Sequence, residues 1–497
     1  MTARRGLEER FVVPRWRPFR ATRALGELDH PRIGAEQTLS DAEDSPDTQR
    51  FEESPGLHMA SDVLDQALNW PGTPNEALPA ARFVLGAANA PPDMRRLAQI
   101  IEGRVRGLTP DADDRDFDLP EPAAQVRHWR RSLRQFPRNP TAWMDLALAQ
   151  TISGDLNRAR RSVITALALA PHNRFILRSA SRFFVHIADP ERARAILTTA
   201  ATQSGDPWLM AAEIATSQIS GRASTLILPA RRTLQAREFL PAHASELACA
   251  VASFELGSGN DKRARKFLYQ ALEDPTENTV AQAEFESRRS RISVPETLVA
   301  QEGRFEAQAL DFASRSLWIQ SISAAQQWQA DQPFAPDPAM YLSYTAAVRV
   351  EDYETARRAA AIGFVANPHS SMLANNLAFA LANLGDWQMA SQTLERIDEG
   401  SLKPPEVPVV SATQGLVAFR AGDPERGRLL YSAAVAEASR QSATDQAAFA
   451  ATYWAREELR IGSPFAIEVV GAARIAVERS RHPDARAVFD RLSQLPR

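Results

Sequence analysis

Arg178, Arg182 and His186 stand four residues apart. On a helix that spacing stacks all three on one stripe, a row of donors able to grip a carboxylate or a phosphate. Other chemistry-bearing residues are scattered. The eight histidines show no H-E-x-x-H spacing, and Cys249, the single cysteine, sits between Ala248 and Ala250 and offers neither a disulfide nor a thiolate cluster. No G-x-S-x-G elbow occurs. In "DADDRDFDLPEP", Asp114, Asp116 and Asp118 take calcium-loop positions 1, 3 and 5. Leu119 replaces the required Gly there and Gln125 the bidentate Glu, so the stretch reads as a solvated acidic linker. "ELGSGNDKRARK" looks like a phosphate loop but lacks the G-x-x-x-x-G-K-[ST] spacing and a preceding strand, and it reads as an interhelical turn. The expectation is a non-enzyme with no catalytic residue, metal ligand or cofactor.

Composition agrees with that expectation and narrows it. The chain has 497 residues, 44% hydrophobic and 24% charged, with a formal net charge of −3. These values describe a globular protein with no overall pull toward nucleic acid. Its lysines are only Lys262, Lys266 and Lys403, against 55 arginines. That bias is read as a GC-rich bacterial genome rather than as a demand for bidentate anion contacts. The N-terminus lacks the apolar stretch of a signal peptide, and no apolar run approaches the roughly 18 residues of a spanning helix. A cytoplasmic protein with no membrane contact is expected.

The elements that must position these residues show a repeat. In "NPTAWMDLALAQTISGDLNRARRSVITALALAPHN", Trp143, Leu146, Ala147 and Gln150 share one helical face. Gly154 and Asp155 make a turn, Ala159, Val163 and Ala166 share a second face, and Pro171 ends it. Ala159 and Ala166 recur 34 residues later as Ala193 and Ala200, and Ala356 and Ala390 are again 34 apart. "LANNLAFALANLGDWQMASQTL" poses the sharpest choice, because Asp386 and Trp387 could mark a site or merely a turn. Small residues at Ala378, Gly385 and Ala390 decide for packing.

This phased pattern of a bulky residue, Leu, Gly or Ala, two further alanines and Pro resembles the tetratricopeptide repeat family. Residues 140–173, 371–404 and 408–441 match it well, and 174–207 and 337–370 fairly. Residues 208–241 and 244–278 match with slips of one or two residues, while 279–336 and the chain after 441 show no clean register. The resemblance implies an all-α fold, a right-handed α-solenoid of about eight to ten helical hairpins. It follows an extended N-terminal arm and acidic linker (1–56) and divergent hairpins (57–120); the solenoid itself occupies 121–497, with its clearest repeats at 140–207 and 337–441.

The resemblance also implies a groove lined by set positions of the first helices. These fall on Met144, Leu148 and Ile152, on Arg178, Arg182 and His186, and on Asn375, Phe379 and Asn383. Met144 and Leu148 stand where chaperone-binding members carry a Lys/Asn clamp, so that activity is not expected. Three donors on the Arg178 stripe need an anion. An internal carboxylate such as Glu213 would serve, or an acidic segment of a partner if the stripe is open. The N-terminal arm interleaves Arg15, Arg17 and Arg20 with Trp16 and Phe19 between prolines, and reads as a docking element or as a strap on the chain's own solenoid. Residues 36–65 carry nine acidic side chains against Arg50 alone.

A scaffold or adaptor is therefore expected, binding a protein partner that presents an acidic or mixed peptide segment and controlling or assembling an effector encoded nearby. The runner-up is a nucleic-acid-binding repeat protein that uses this arm and a ladder of arginines at second-helix starts. The ladder comprises Arg158/Arg160/Arg161, Arg192/Arg194, Arg231/Arg232, Arg263/Arg265/Lys266, Arg357/Arg358 and Arg426/Arg428.

Overall fold

The chain is all-α. The computed structural model describes residues 10–19, 46–69, 77–105, 121–290 and 292–494. Two compact units divide these residues, one of 10–307 and one of 308–497.

In the first unit, four hairpins follow one another: Pro140–Ile152 with Leu156–Leu169, Arg174–His186 with Pro190–Ser204, Pro207–Ile219 with Ile227–Ala236, and Pro241–Gly257 with Asp261–Ala271. The helix Glu277–Ser290 continues the series of first helices, which begin 33 to 36 residues apart. Each first helix packs on the next. Local chemistry fixes the boundaries. The side chains of Asn139, Asp155, Asn173, Asp189 and Asp206 accept the first free backbone N–H groups of their helices. Ala147, Ala159, Ala166 and Ala193 are fully buried, so paired helices approach closely at the repeat's small positions.

Ahead of these hairpins lie Leu57–Asn69, Leu78–Gly86 and Pro92–Val105. The acidic stretch assigned to an extended linker holds a further helix, Pro46–Glu53. Its existence rests on Phe51, whose ring is buried edge-on 5.6 Å from Phe83. Burial of one aromatic outweighs a run of solvated acids.

The second unit repeats the plan. Pro336–Tyr344 runs on as a π-helical turn, Thr345–Val350, and pairs with Tyr353–Ala366. Ser371–Leu384 pairs with Trp387–Leu394, Val407–Arg420 with Pro424–Arg440, and Thr444–Arg460 with Ala466–Arg479, before Pro483–Asp490. The π turn inserts a residue into the helix, which accounts for the fair rather than good match of 337–370. Beyond 441 the hairpin plan persists although the sequence shows no clean register. Contact distances explain the small residues. A Cβ on Gly363 would fall 2.3 Å from that of Ala339, and one on Gly427 would fall 2.4 Å from Phe419 Cδ2.

The Gly-Asp-Trp stretch is packing. Gly385 ends its helix at φ +93°, Asp386 caps the next by accepting Met389 N–H at 3.1 Å, and Ala390 is fully buried. No helix among the described residues is long and apolar enough to cross a membrane.

Candidate peptide-binding face

The first helices of the 10–307 unit carry an extended segment of the chain itself. Residues 10–19 have no regular secondary structure, and Val12, Pro14 and Trp16 turn inward while the residues between them stay partly exposed. Pro14 and Pro18 keep the segment out of helix. Nine intervals of about 3.3 Å give a reach of at most ~30 Å, enough to cross several first helices spaced about 8–10 Å apart. As a helix the same residues would reach about half as far.

The segment runs against the order of the repeats. Arg10 meets the last helices of the unit. Its Nε donates to Glu306 Oε1 at 2.6 Å and its Nη2 to Glu306 Oε2 at 2.9 Å. Its Nη1 also donates to Gln282 Oε1 at 2.8 Å and its Nη2 to Asn278 Oδ1 at 3.0 Å. Arg15 donates to the same Glu306 at 2.6 Å, and Arg17 pairs with Glu277. Further along, Trp16 is 1% exposed with its ring edge-on to Phe183 at 6.0 Å. Phe19 lies 5.1 Å from Phe175, and its backbone N–H donates to Asp145 Oδ1 at 2.8 Å. Side-chain amides read the backbone directly. Gln282 Nε2 donates to the carbonyl of Arg10 at 2.8 Å and Asn278 Nδ2 to that of Val13 at 2.9 Å.

Electrostatics follow from this placement. Burial pushes the Glu306 carboxyl up, but the Arg10 and Arg15 guanidiniums overcome it and hold it at about 2. Glu277 is likewise held at about 2, burial again opposing and Arg17 and Arg15 prevailing. Both are anions poised for cations.

Arg178, the first member of the predicted stripe, lies beneath this surface, 3% exposed. Its Nη2 donates to Glu246 Oε2 at 2.7 Å, and its guanidinium stacks 4.5 Å over the Trp208 ring. Glu246, not Glu213, is therefore the answering carboxylate. The correction has a physical cause: the long arginine crosses the adjacent helix over Trp208 and reaches the helix after it. Glu213 turns instead to Ser217, Ser224 and Thr198. Glu246 also accepts from Asn278 Nδ2 at 3.4 Å, so the stripe supports a residue that holds the arm. Arg182 is buried and His186 half-buried.

In the 308–497 unit, Asn375 is fully buried, Phe379 is 5% exposed and Asn383 half-buried. Arg456 fills the space beside them. It donates to Asn383 Oδ1 at 2.6 Å and to Tyr353 Oη at 3.0 Å, and lies 4.7 Å over the Tyr453 ring. Phe379 meets Tyr453 edge-on at 5.1 Å and lines a small cavity with Val348, Val409 and Phe449.

The arginine ladder is answered locally at many rungs. Arg158 pairs with Asp155, Arg194 with Glu191, Arg231 and Arg263 with Glu255, Arg357 and Arg358 with Glu354, and Arg428 with Glu458. The phosphate-loop look-alike is the turn after Pro241–Gly257, with Gly259 at φ +75°. Burial pushes the Cys249 thiol far up, which leaves it an inert packing group. Arg20 and the Asp114 acidic run lie outside the described residues.

No family model matches the chain, and no curated protein matches it. Among solved structures it is similar to yeast Tom70, at 11% identity over 74% of this chain and 91% of that one, with a TM-score of 0.31. The APC/C hetero-tetramer Cut9-Hcn1 is similar at 12% identity over 90% of this chain and 98% of that one, TM-score 0.30. A monomeric IFIT1 mutant with Gppp-AAAA follows at 12% identity over 95% and 100%, TM-score 0.32. Likenesses this distant say nothing of what this chain binds.

Sequence reasoning missed Arg10, Asn278, Gln282 and Glu306, which form the centre of the site. Three of them fall in or beside the 279–336 stretch that showed no register, and Arg10 carries no local pattern. Its four-bond engagement is visible only in three dimensions.

Proposed function

We propose that this protein is a non-catalytic scaffold that binds extended segments of other proteins across the first helices of its hairpins. The observation that carries this reading is the seating of residues 10–19. An extended segment with its backbone carbonyls held by Asn278 and Gln282 is bound as a peptide is bound. Carboxylate partners within the chain for Arg158, Arg194, Arg231 and Arg428 count against the ladder as a phosphate-binding stripe.

The test is selection of displayed random peptides on the full-length Arg10→Ala/Trp16→Ala variant, after its circular-dichroism melt has been checked. Recovered peptides should lose binding when Gln282→Ala is added. A folded variant that selects no peptide, or only peptides indifferent to Gln282, sinks the scaffold reading.

A further inference from the structure

The seated arm also defines the chemistry that this face prefers. Glu306 receives two guanidiniums while only 6% exposed, and Glu277 receives a third. Glu286 is buried among the same helices, 3% exposed, while Glu246 there is already neutralised by Arg178. With the arm lifted away, Glu306 would lose both guanidiniums, and Gln282, whose amide also donates to Glu286 at 3.2 Å, would lose Arg10. A low-dielectric surface holding carboxylates in that state repels anions strongly and recruits cations. Apolar wells add register, since Phe183 walls the Trp16 site and Phe175 the Phe19 site.

We propose that this face binds an extended, arginine- and aromatic-bearing segment of a partner protein, and that residues 10–19 are its resident competitor in cis. The inference rests on the scaffold reading and gives it a ligand class. The partner segment would present two arginines five residues apart to the Glu306 carboxylate, and an aromatic next to the second for the Phe183 well. These are the spacings of Arg10, Arg15 and Trp16. An acidic segment, the other chemistry a basic stripe suggested, would meet Glu277 and Glu306 and be rejected.

Two features favour an exchangeable occupant over a permanent strap. The arm is held by side-chain recognition rather than by a continuous backbone ladder, and the single cysteine is buried at position 249, so no intrachain disulfide fastens it. Tethering nevertheless gives the arm an effective concentration of millimolar order, which any partner in trans must overcome. Apparent affinity for the partner should therefore be the intrinsic affinity multiplied by the fraction of molecules with the face open.

The probe is a labelled, end-blocked peptide of residues 10–19, with a scrambled version and a version in which every arginine is glutamate. A protease site inserted near residue 30 of the full-length protein allows the arm to be cut without altering either surface. Before cutting, the labelled peptide should bind weakly. After cutting and dilution it should bind at least tenfold more tightly, and at least tenfold more tightly than either control. Adding Glu306→Gln should erase most of that gain. An arm that stays seated after cutting without exchanging over a day would show a structural strap and overturn the proposal. Equal binding of the scrambled peptide, or tighter binding of the acidic one, would overturn the assigned chemistry, and the display selection would still report on the scaffold reading.

Discussion

The two units cover the same kind of surface by different means. In residues 10–307 the first helices are covered by a separate stretch of chain, with Trp16 and Val12 as its apolar anchors and Glu306 gripping Arg10 and Arg15. In residues 308–497 the corresponding stations are filled by side chains of the hairpins themselves, Phe379, Tyr453 and Arg456, cross-linked through Asn383 and Tyr353. A surface closed by its own side chains opens only when its helices move. One closed by a tethered strand opens when the strand leaves. The same repeat thus yields a self-packed unit and a unit with a removable ligand.

The largest effect should come from the carboxylate that holds two guanidiniums. Glu306→Ala deprives the Arg10 and Arg15 side chains, each about nine-tenths covered, of their shared carboxylate, and removing one partner of such a cluster costs up to about 3–5 kcal/mol. Urea unfolding should show that loss, and hydrogen exchange should show residues 10–19 unprotected. If they remain protected in Glu306→Ala, the arm is held by something else.

Ala390→Glu tests the other side of the comparison. It forces a charge into a fully buried helix contact in the second unit and should cost about 3 kcal/mol. Exchange protection of the arm should not change. Loss of arm protection would show that the two coverings are not independent.

Acid should release the arm. Glu306 and Glu277 titrate at about 2 when seated, below the ordinary 4.5. A depressed folded pKa means that their contribution is complete above about pH 4.5 and is lost as pH falls toward 2. The emission difference between wild type and Trp16→Phe isolates the Trp16 signal and should shift to an exposed spectrum in that window. A flat difference down to pH 2 would contradict the role given to these carboxylates.

The smallest effect belongs to the Gly-Asp-Trp turn. Asp386→Asn keeps a good N-cap, and the melting curve should move by no more than a few tenths of a kcal/mol. Loss of peptide binding in that variant would contradict the packing assignment.

What the sequence made legible was local. Alanines 34 residues apart, caps such as Asp155 and Asp386, and the Gly385 turn all express contacts within one hairpin or between neighbours, where spacing carries the information. Trp16, Arg15, Arg17 and Phe19 were also visible, because alternating bulky apolar and cationic residues between prolines are uncommon in a solvated tail. Their destination was not visible. Arg10 and Glu306 are 296 residues apart, and no periodicity links them. Arg178 shows the nearer limit: the repeat register points to the adjacent helix, yet a side chain lying across Trp208 reaches the one beyond. Arg178 is answered beneath the surface by Glu246, whereas Arg10, Arg15 and Arg17 of the arm are met by Glu306 and Glu277.

The arm's reversed course sets a timetable for synthesis. Residues 10–19 leave the ribosome before every helix they lie on, and Asp145 and Phe175 follow early, but the carboxylate that secures Arg10 emerges almost 300 residues later. At roughly 5–20 residues per second the growing chain spends tens of seconds with its leading segment unsecured and its hairpins already forming. During that interval the Phe175 and Phe183 wells exist without the Glu306 anchor, so the resident strand and a partner at the site of translation begin their competition for that carboxylate together.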